Sequence, residues 1–249
     1  MTDITTLFWI LSAVVVLMAA VLKGITGFGF ALFSLPLLSL FMPVHMLIPA
    51  MSLFNLLASI YLLIQIKVKL EARYFIPMFL ASLVGIPFGV YALQHFNETL
   101  LRFLVGLVIV VFSLLLYFGN NKEPRLKSKP IVFAGFISGL LGSSVSLSGP
   151  PIALAMNRKK YTKDLFRSLF AVFGVLSSFF TLVGYALEGI VLAASVKFTA
   201  FLFPLLMVGS KLGDRWARNL KQDKFRKIVI ALNFFTGVAV IVTILVKTL

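Results

Sequence analysis

Cysteine is absent from the 249 residues, so disulfides, thiolate nucleophiles and thiolate metal ligands are excluded. Charge is also scarce. Asp, Glu, Lys and Arg make up 12% of the chain, against roughly 25% in a typical soluble domain. The carboxylates are Asp3, Glu71, Glu98, Glu123, Asp164, Glu188, Asp214 and Asp223. All are expected in tails, loops or helix ends, which leaves no mid-membrane acid as an evident proton relay. The two histidines, His45 and His95, are far apart in sequence and expected near one face. HExxH and GxSxG motifs are missing, so an intramembrane hydrolase lacks its machinery. No enzyme activity, metal or cofactor is expected.

What the chain has is apolar sequence. It is 60% hydrophobic, with a mean hydropathy of +1.05. Apolar segments span about 7–42, 46–66, 74–94, 100–118, 130–156, 165–187, 191–210 and 228–246. They lack the alternation of an outer-membrane barrel, so the expected fold is an all-α polytopic membrane protein. The net charge of +15 would suggest nucleic acid in a soluble chain. Here the basic residues lie between apolar runs, where they set topology. The lipid bilayer is the expected partner, and nucleic acid is not. The N-terminal stretch has no basic region before its apolar run, so Leu7–Leu22 reads as a retained segment.

Two segments are unusual. "KGITGFGFALFSLPLL" (Lys23–Leu38) and "SGLLGSSVSLSGPPIAL" (Ser138–Leu154) break apolar sequence with glycine, serine and proline. If each is a hairpin that enters and leaves on one side, the basic residues sort sharply. Lys67, Lys69, Arg73 and the clusters 122–129, 158–167 and 211–227 fall on one side; Arg102, Lys197 and Lys247 fall on the other. The rich side is then cytoplasmic and both termini are periplasmic. The two stretches align at an offset of 115, Gly24 with Gly139, Gly27 with Gly142 and Pro36 with Pro151. Further on, Asn55 and Ser59 align with Gly174 and Ser178, and "GIPFG" (Gly85–Gly89) with "GSKLG" (Gly209–Gly213). The expected domain is thus two repeats of inverted topology, 1–121 and 130–249, joined by a basic linker, 122–129. Each repeat holds one glycine-broken hairpin and three transmembrane helices, and the hairpins meet mid-membrane, where transporters place their substrate.

The paired motifs "KGITGFGFALFSLPLL" and "GLLGSSVSLSGPPIALAM" resemble the TauE/SafE sulfite exporter family of membrane permeases, and the resemblance covers essentially the whole chain. It implies transport of small sulfur-containing anions, such as sulfite and organosulfonates, across the bacterial inner membrane. The residues suit that implication. Helix N-termini after a break offer free N–H groups and partial positive charge to an oxyanion. Gly24, Gly27 and Gly29 in the first break, and Gly142, Gly149 and Pro150 in the second, would let backbone approach a ligand. Thr26, Ser143, Ser144, Ser146 and Ser148 would supply hydroxyls, and Asn55 and Asn157 amides. The same small residues also permit tight helix packing. Lys23 either pairs with backbone carbonyls or a substrate anion, or reaches water at the surface. A secondary transporter working by alternating access is the expected function; a small-anion channel would use the same groups.

Overall fold

The computed structural model describes residues 2–66, 72–118, 129–157, 163–190 and 193–219. The expected last span, 228–246, and most of the basic linker lie outside them. Among the described residues the fold is all helical, with no strand. The order is α1 (Thr2–Thr26), α2 (Phe30–Leu38), α3 (Val44–Gln65), α4 (Ala72–His95) and α5 (Glu98–Phe118). Then follow α6 (Lys129–Val145), α7 (Gly149–Asn157), α8 (Lys163–Leu187) and α9 (Ala193–Asn219). Five described helices are long and apolar enough to cross a membrane, so the chain is a multi-pass membrane protein.

The outward faces of the helices are apolar. On α1, Leu7, Leu11, Val14 and Met18 point outward, and on α4, Ile76, Leu80, Val84, Phe88 and Tyr91 do. These large apolar stripes suit lipid. The inward faces carry glycine and serine, because close helix approach in a membrane relies on small residues. A Cβ at Gly85 or Gly89 would fall on the carbonyls of Phe136 or Leu140, so α4 lies directly on α6. Gly209 and Gly213 meet the carbonyls of Leu17 and Val21 in the same way, which seats α9 on α1. The central helices α3 and α8 cross with a reciprocal pair of contacts. The Asn55 amide donates to Ser178, and Gly174 faces Ser59.

Each expected broken segment is two helices with a short bend. In the first, Gly27 and Gly29 have φ of 85° and 94°, the left-handed region that glycine enters freely. In the second, the left-handed residue is Ser146, at φ 55°. Gly142 lies inside α6 and Gly149 opens α7. The bends therefore correspond at an offset of 119, Gly27 with Ser146, and not at 115. The same 119 relates Asn55 to Gly174 and the α1–α9 contacts at Leu17 and Val21 to the α4–α6 contacts at Phe136 and Leu140. Gly85 and Gly89 of α4, and Gly209 and Gly213 of α9, 124 residues further on, make comparable close contacts. The four-residue slip has a simple cause. Residues about one turn apart share a helix face, so a ladder of small residues matches itself nearly as well when displaced by a turn.

A second departure concerns α9, which runs to Asn219 although its apolar run ends near 210. Ser210, Gly213, Asp214 and Ala217 are buried, a spacing that keeps one face inward for two more turns. Asp214, expected in a loop or at a helix end, is therefore 4% exposed inside the bundle.

Both bends leave a carbonyl without its helical donor. In the first, Phe28 N–H turns to the Thr26 hydroxyl at 3.3 Å, and the Gly24 carbonyl accepts from Arg167 Nη2 at 2.6 Å. In the second, Leu147 N–H bonds to the Leu141 carbonyl at 3.1 Å, and the Ser143 carbonyl accepts from the Tyr185 hydroxyl. Gly24 and Ser143 are again 119 apart, and both caps come from α8. Tyr185 is fully buried, so Tyr185→Phe strands a buried carbonyl at a cost of about 1–3 kcal/mol. The expected result is a lower thermal midpoint of the detergent-solubilised protein with helical content retained; an unchanged midpoint would show that the carbonyl finds another donor.

Candidate functional site

The bends meet. A Cβ on Gly149 would lie 2.8 Å from the Phe28 ring, and a small cavity of about 30 Å³ opens between them. That is room for about two waters. Its walls come from both bends and from the central helices. Gly27, Gly29 and the first residues of α2 form one side; Ser146, Ser148, Gly149 and Pro150 form another. Asn55 on α3, and Phe170, Phe173 and Gly174 on α8, close the rest. Phe28 stacks on Phe170 with ring centroids 4.7 Å apart, which gives the polar rim an aromatic floor.

Of the residues singled out from sequence, Gly27, Gly29, Asn55, Ser146, Ser148, Gly149 and Pro150 line this cavity. The others stand behind it. Thr26 ties the first bend together, donating to the Leu22 carbonyl at 2.8 Å and to the Phe28 carbonyl. Gly24 packs on α9, where a Cβ would come 2.6 Å from the Ser210 carbonyl. Ser143 donates to the Gly139 and Ile86 carbonyls at 2.8 and 2.9 Å. Ser144 donates to the Leu140 carbonyl at 2.7 Å. Both hydroxyls thus serve helix backbone. Gly142 faces Ser148, with 2.9 Å available to a Cβ. Asn157 ends α7, and its side chain lies outside what the structure describes.

Lys23 is 1% exposed and reaches no surface. Its ammonium donates to Ser59 Oγ at 2.8 Å, to the Asn55 carbonyl at 3.1 Å and to Asn55 Oδ1. Three donors meet three neutral acceptors, and among the described residues no carboxylate pairs with it. The Asn55 amide therefore stands between an unneutralised cation and the cavity. Its other end donates to Ser178 Oγ at 2.8 Å.

The helix ends at the cavity are not equivalent. Gly29 caps α2 in the left-handed conformation, so the N–H groups of Phe30, Ala31 and Leu32 begin a helix with no side-chain acceptor in front of them. In α7, Pro150 and Pro151 have no N–H to offer. There the hydroxyls of Ser146 and Ser148 supply the polar atoms. Ser146 donates to the Ile48 carbonyl at 2.8 Å and lies 3.3 Å from Ser52 Oγ. Partial positive charge, hydroxyls and a nearby ammonium, without a lining carboxylate, make a site for a small anion.

Sequence reasoning missed the aromatic walls and the ion pair below them. One Phe among 26 carries no signal of its own. Arg167 was legible only as a member of a basic cluster, and Asp214 only as a carboxylate expected in a tail, loop or helix end. The pair is buried, with 2.7 Å between Nη2 and Oδ1.

No curated protein and no solved structure matches the chain. A family model described as "Sulfite exporter TauE/SafE" matches residues 12–240, from the first turns of α1 to well past the end of α9. With the match running over nearly its whole length, the chain belongs to the TauE/SafE family of sulfite exporters.

Proposed function

We propose that this protein is a secondary transporter for small oxyanions, sulfite or organosulfonates, working by alternating access at the meeting point of two hairpins, and that it is not an enzyme. The observation that carries this reading is the cavity between the two bends, walled by a free helix N-terminus, serine hydroxyls and the Asn55 amide backed by Lys23. Fixed donors of this kind replace the hydration shell of an anion and favour it over a neutral solute.

The reading includes two inverted repeats, 1–121 and 130–249. The recurrence of contacts at 119 and 124 supports it, as does helix direction. Phe8 of α1 meets Phe41 beyond α2, so the first hairpin starts and finishes at one end of the bundle. The contacts of α6 run parallel to α4, so the second hairpin starts from the other end. Both termini are then periplasmic and the Lys122–Lys129 linker cytoplasmic, in a bacterial inner membrane. A cavity with room for about two waters favours a carrier over an open anion channel. The proposed substrate contacts are Gly27, Gly29, Asn55, Ser146, Ser148, Gly149 and Pro150, with Lys23, Gly24, Thr26, Gly142, Ser143, Ser144 and Asn157 supporting or extending the site.

Three outcomes follow. Calorimetry on purified protein should show binding of sulfite or a sulfonate and none of glycerol; binding of the neutral solute alone would overturn the anion reading. Lys23→Met should weaken that affinity roughly tenfold, because an uncompensated charge near the site contributes about 1–2 kcal/mol at an effective dielectric near 20. The same change orphans acceptors on Asn55 and Ser59, so the thermal midpoint should fall as well. An unchanged dissociation constant in a folded Lys23→Met would remove the charge from recognition. Reporter fusions at Lys122–Lys129 should read cytoplasmic and at the C-terminus periplasmic; a cytoplasmic C-terminus contradicts the double-hairpin topology.

A further inference from the structure

Arg167 and Asp214 sit one turn from the cavity, on the side where α8 begins and α9 ends. Phe170, Phe173 and Gly174 of α8 line the cavity; Arg167 is the next inward position of the same helix. Gly27, also a lining residue, rests on it, with only 2.9 Å between a Cβ there and Arg167 Cα. The Arg167 guanidinium ties three elements together. It holds the Gly24 carbonyl of α1 at 2.6 Å and Asp214 of α9 at 2.7 Å. Asp214 in turn accepts from Arg218 at 2.9 Å through its other oxygen, and Arg218 approaches Gln65 at the end of α3.

Three features mark this cluster as more than a packing contact. Buried ion pairs add little net stability, because desolvation offsets their attraction. Arg167 Nε is buried with no acceptor at all, so the guanidinium is under-coordinated where it stands. And among the described residues the other end of the bundle carries its ion pairs at the half-exposed Glu98, with Arg102 at 2.8 Å and His45 at 3.0 Å, rather than buried beside the cavity. At the offsets of 119 and 124, the counterparts of Arg167 and Asp214 are Ile48 and Val90, which are 0% and 2% exposed. Where one half of the chain buries a charged pair, the equivalent positions of the other bury aliphatic side chains.

We propose that Arg167 and Asp214 form an ionic gate between the cavity and the end of the bundle where α8 begins, and that Arg167, once Asp214 lets go, is the contact for the entering oxyanion. A guanidinium binds carboxylate, sulfite and sulfonate oxygens by the same planar fork, so carboxylate and substrate compete for one group. Asp214 keeps the gate shut and lowers apparent anion affinity at the same time. The proposal rests on the transport reading for its substrate class.

The test uses Asp214→Asn, which leaves the Arg167 bond to Gly24 in place, and sulfoacetate as the probe. If Asp214 competes with the anion, Asp214→Asn binds sulfoacetate more tightly, on the order of tenfold for the loss of one charge-assisted competitor. Mere damage to the fold would weaken binding, so unchanged or weaker affinity in the folded variant overturns the proposal. A second arm needs no substrate. The chain has no cysteine, so Ala31→Cys in the cavity wall is a single reporter thiol. A cationic, membrane-impermeant methanethiosulfonate applied from the α8-start face should label it about tenfold faster with Asp214→Asn, and no faster from the opposite face. Arg167→Lys, which keeps a cation but loses the fork, should also label faster from that face alone and serves if Asp214→Asn does not fold. Labelling that is unchanged, or raised equally from both faces, sinks the gate. Parent protein that binds no anion while face-specific labelling persists would instead overturn the transport reading and leave the gate standing.

Discussion

A helix broken inside a bilayer exposes N–H and C=O groups that lipid cannot satisfy, and each such group costs several kcal/mol. The arrangement described above follows from meeting that demand twice. The Gly24 carbonyl is capped by Arg167 and the Ser143 carbonyl by Tyr185. Both caps are carried by α8, at its fifth residue and at its third from last. Thr26 repairs the first bend locally, and Ser138 caps the Ser148 carbonyl at the second. The bends then persist because protein covers them, and the start of α2, which has no side-chain cap, borders the cavity between Gly29 and Gly149.

The chemistry of the cavity is set by which groups sit behind its walls. Asn55 lends its carbonyl and Oδ1 to Lys23 and its amide hydrogens to Ser178, so its orientation is fixed from both sides. Lys23 contributes charge without contact, through that amide. On the other wall, Pro150 and Pro151 cut the supply of backbone donors, and serines replace them. The two halves thus solve the same problem differently. One uses a cation, glycines and open N–H groups; the other uses hydroxyls and a tyrosine. Their contacts recur in register, while the residues at equivalent positions diverge.

How much of this could be read from the sequence varies by element. The broken segments were legible, because glycine and serine inside apolar runs have few other uses; Asn55, Ser178, Gly85 and Gly209 stood out as matched positions, but the Asn55–Ser178 bond and the helices that the glycines pack on did not. The register of the bends was not: a ladder of small residues matches itself one turn away, and Gly142 looked a better partner for Gly27 than Ser146 did. The extension of α9 was hidden as well, since Lys211 to Asn219 is polar by composition and its buried face emerges only when Ser210, Gly213, Asp214 and Ala217 are placed on a helix. Asp214 reads as a loop or helix-end charge for that reason, and Arg167 as one member of the basic cluster 158–167. Within the predicted site, Ser143 and Ser144 could not be told from Ser146 and Ser148 by residue type. The end of α6 at Val145 divides them: Ser143 and Ser144, before it, bond back to helix carbonyls away from the cavity, whereas Ser146 and Ser148, after it, line the cavity, Ser146 with its proton on the Ile48 carbonyl.

The central claim is that a small oxyanion occupies the space between the two bends and crosses the membrane by exchange at that site. Counterflow tests it most directly. Proteoliposomes loaded with unlabelled sulfite and diluted into a trace of labelled sulfite should accumulate label transiently above equilibrium, and loading with a neutral solute should abolish the overshoot. Equilibration without overshoot, accompanied by unitary currents, would contradict a carrier with one alternately exposed site.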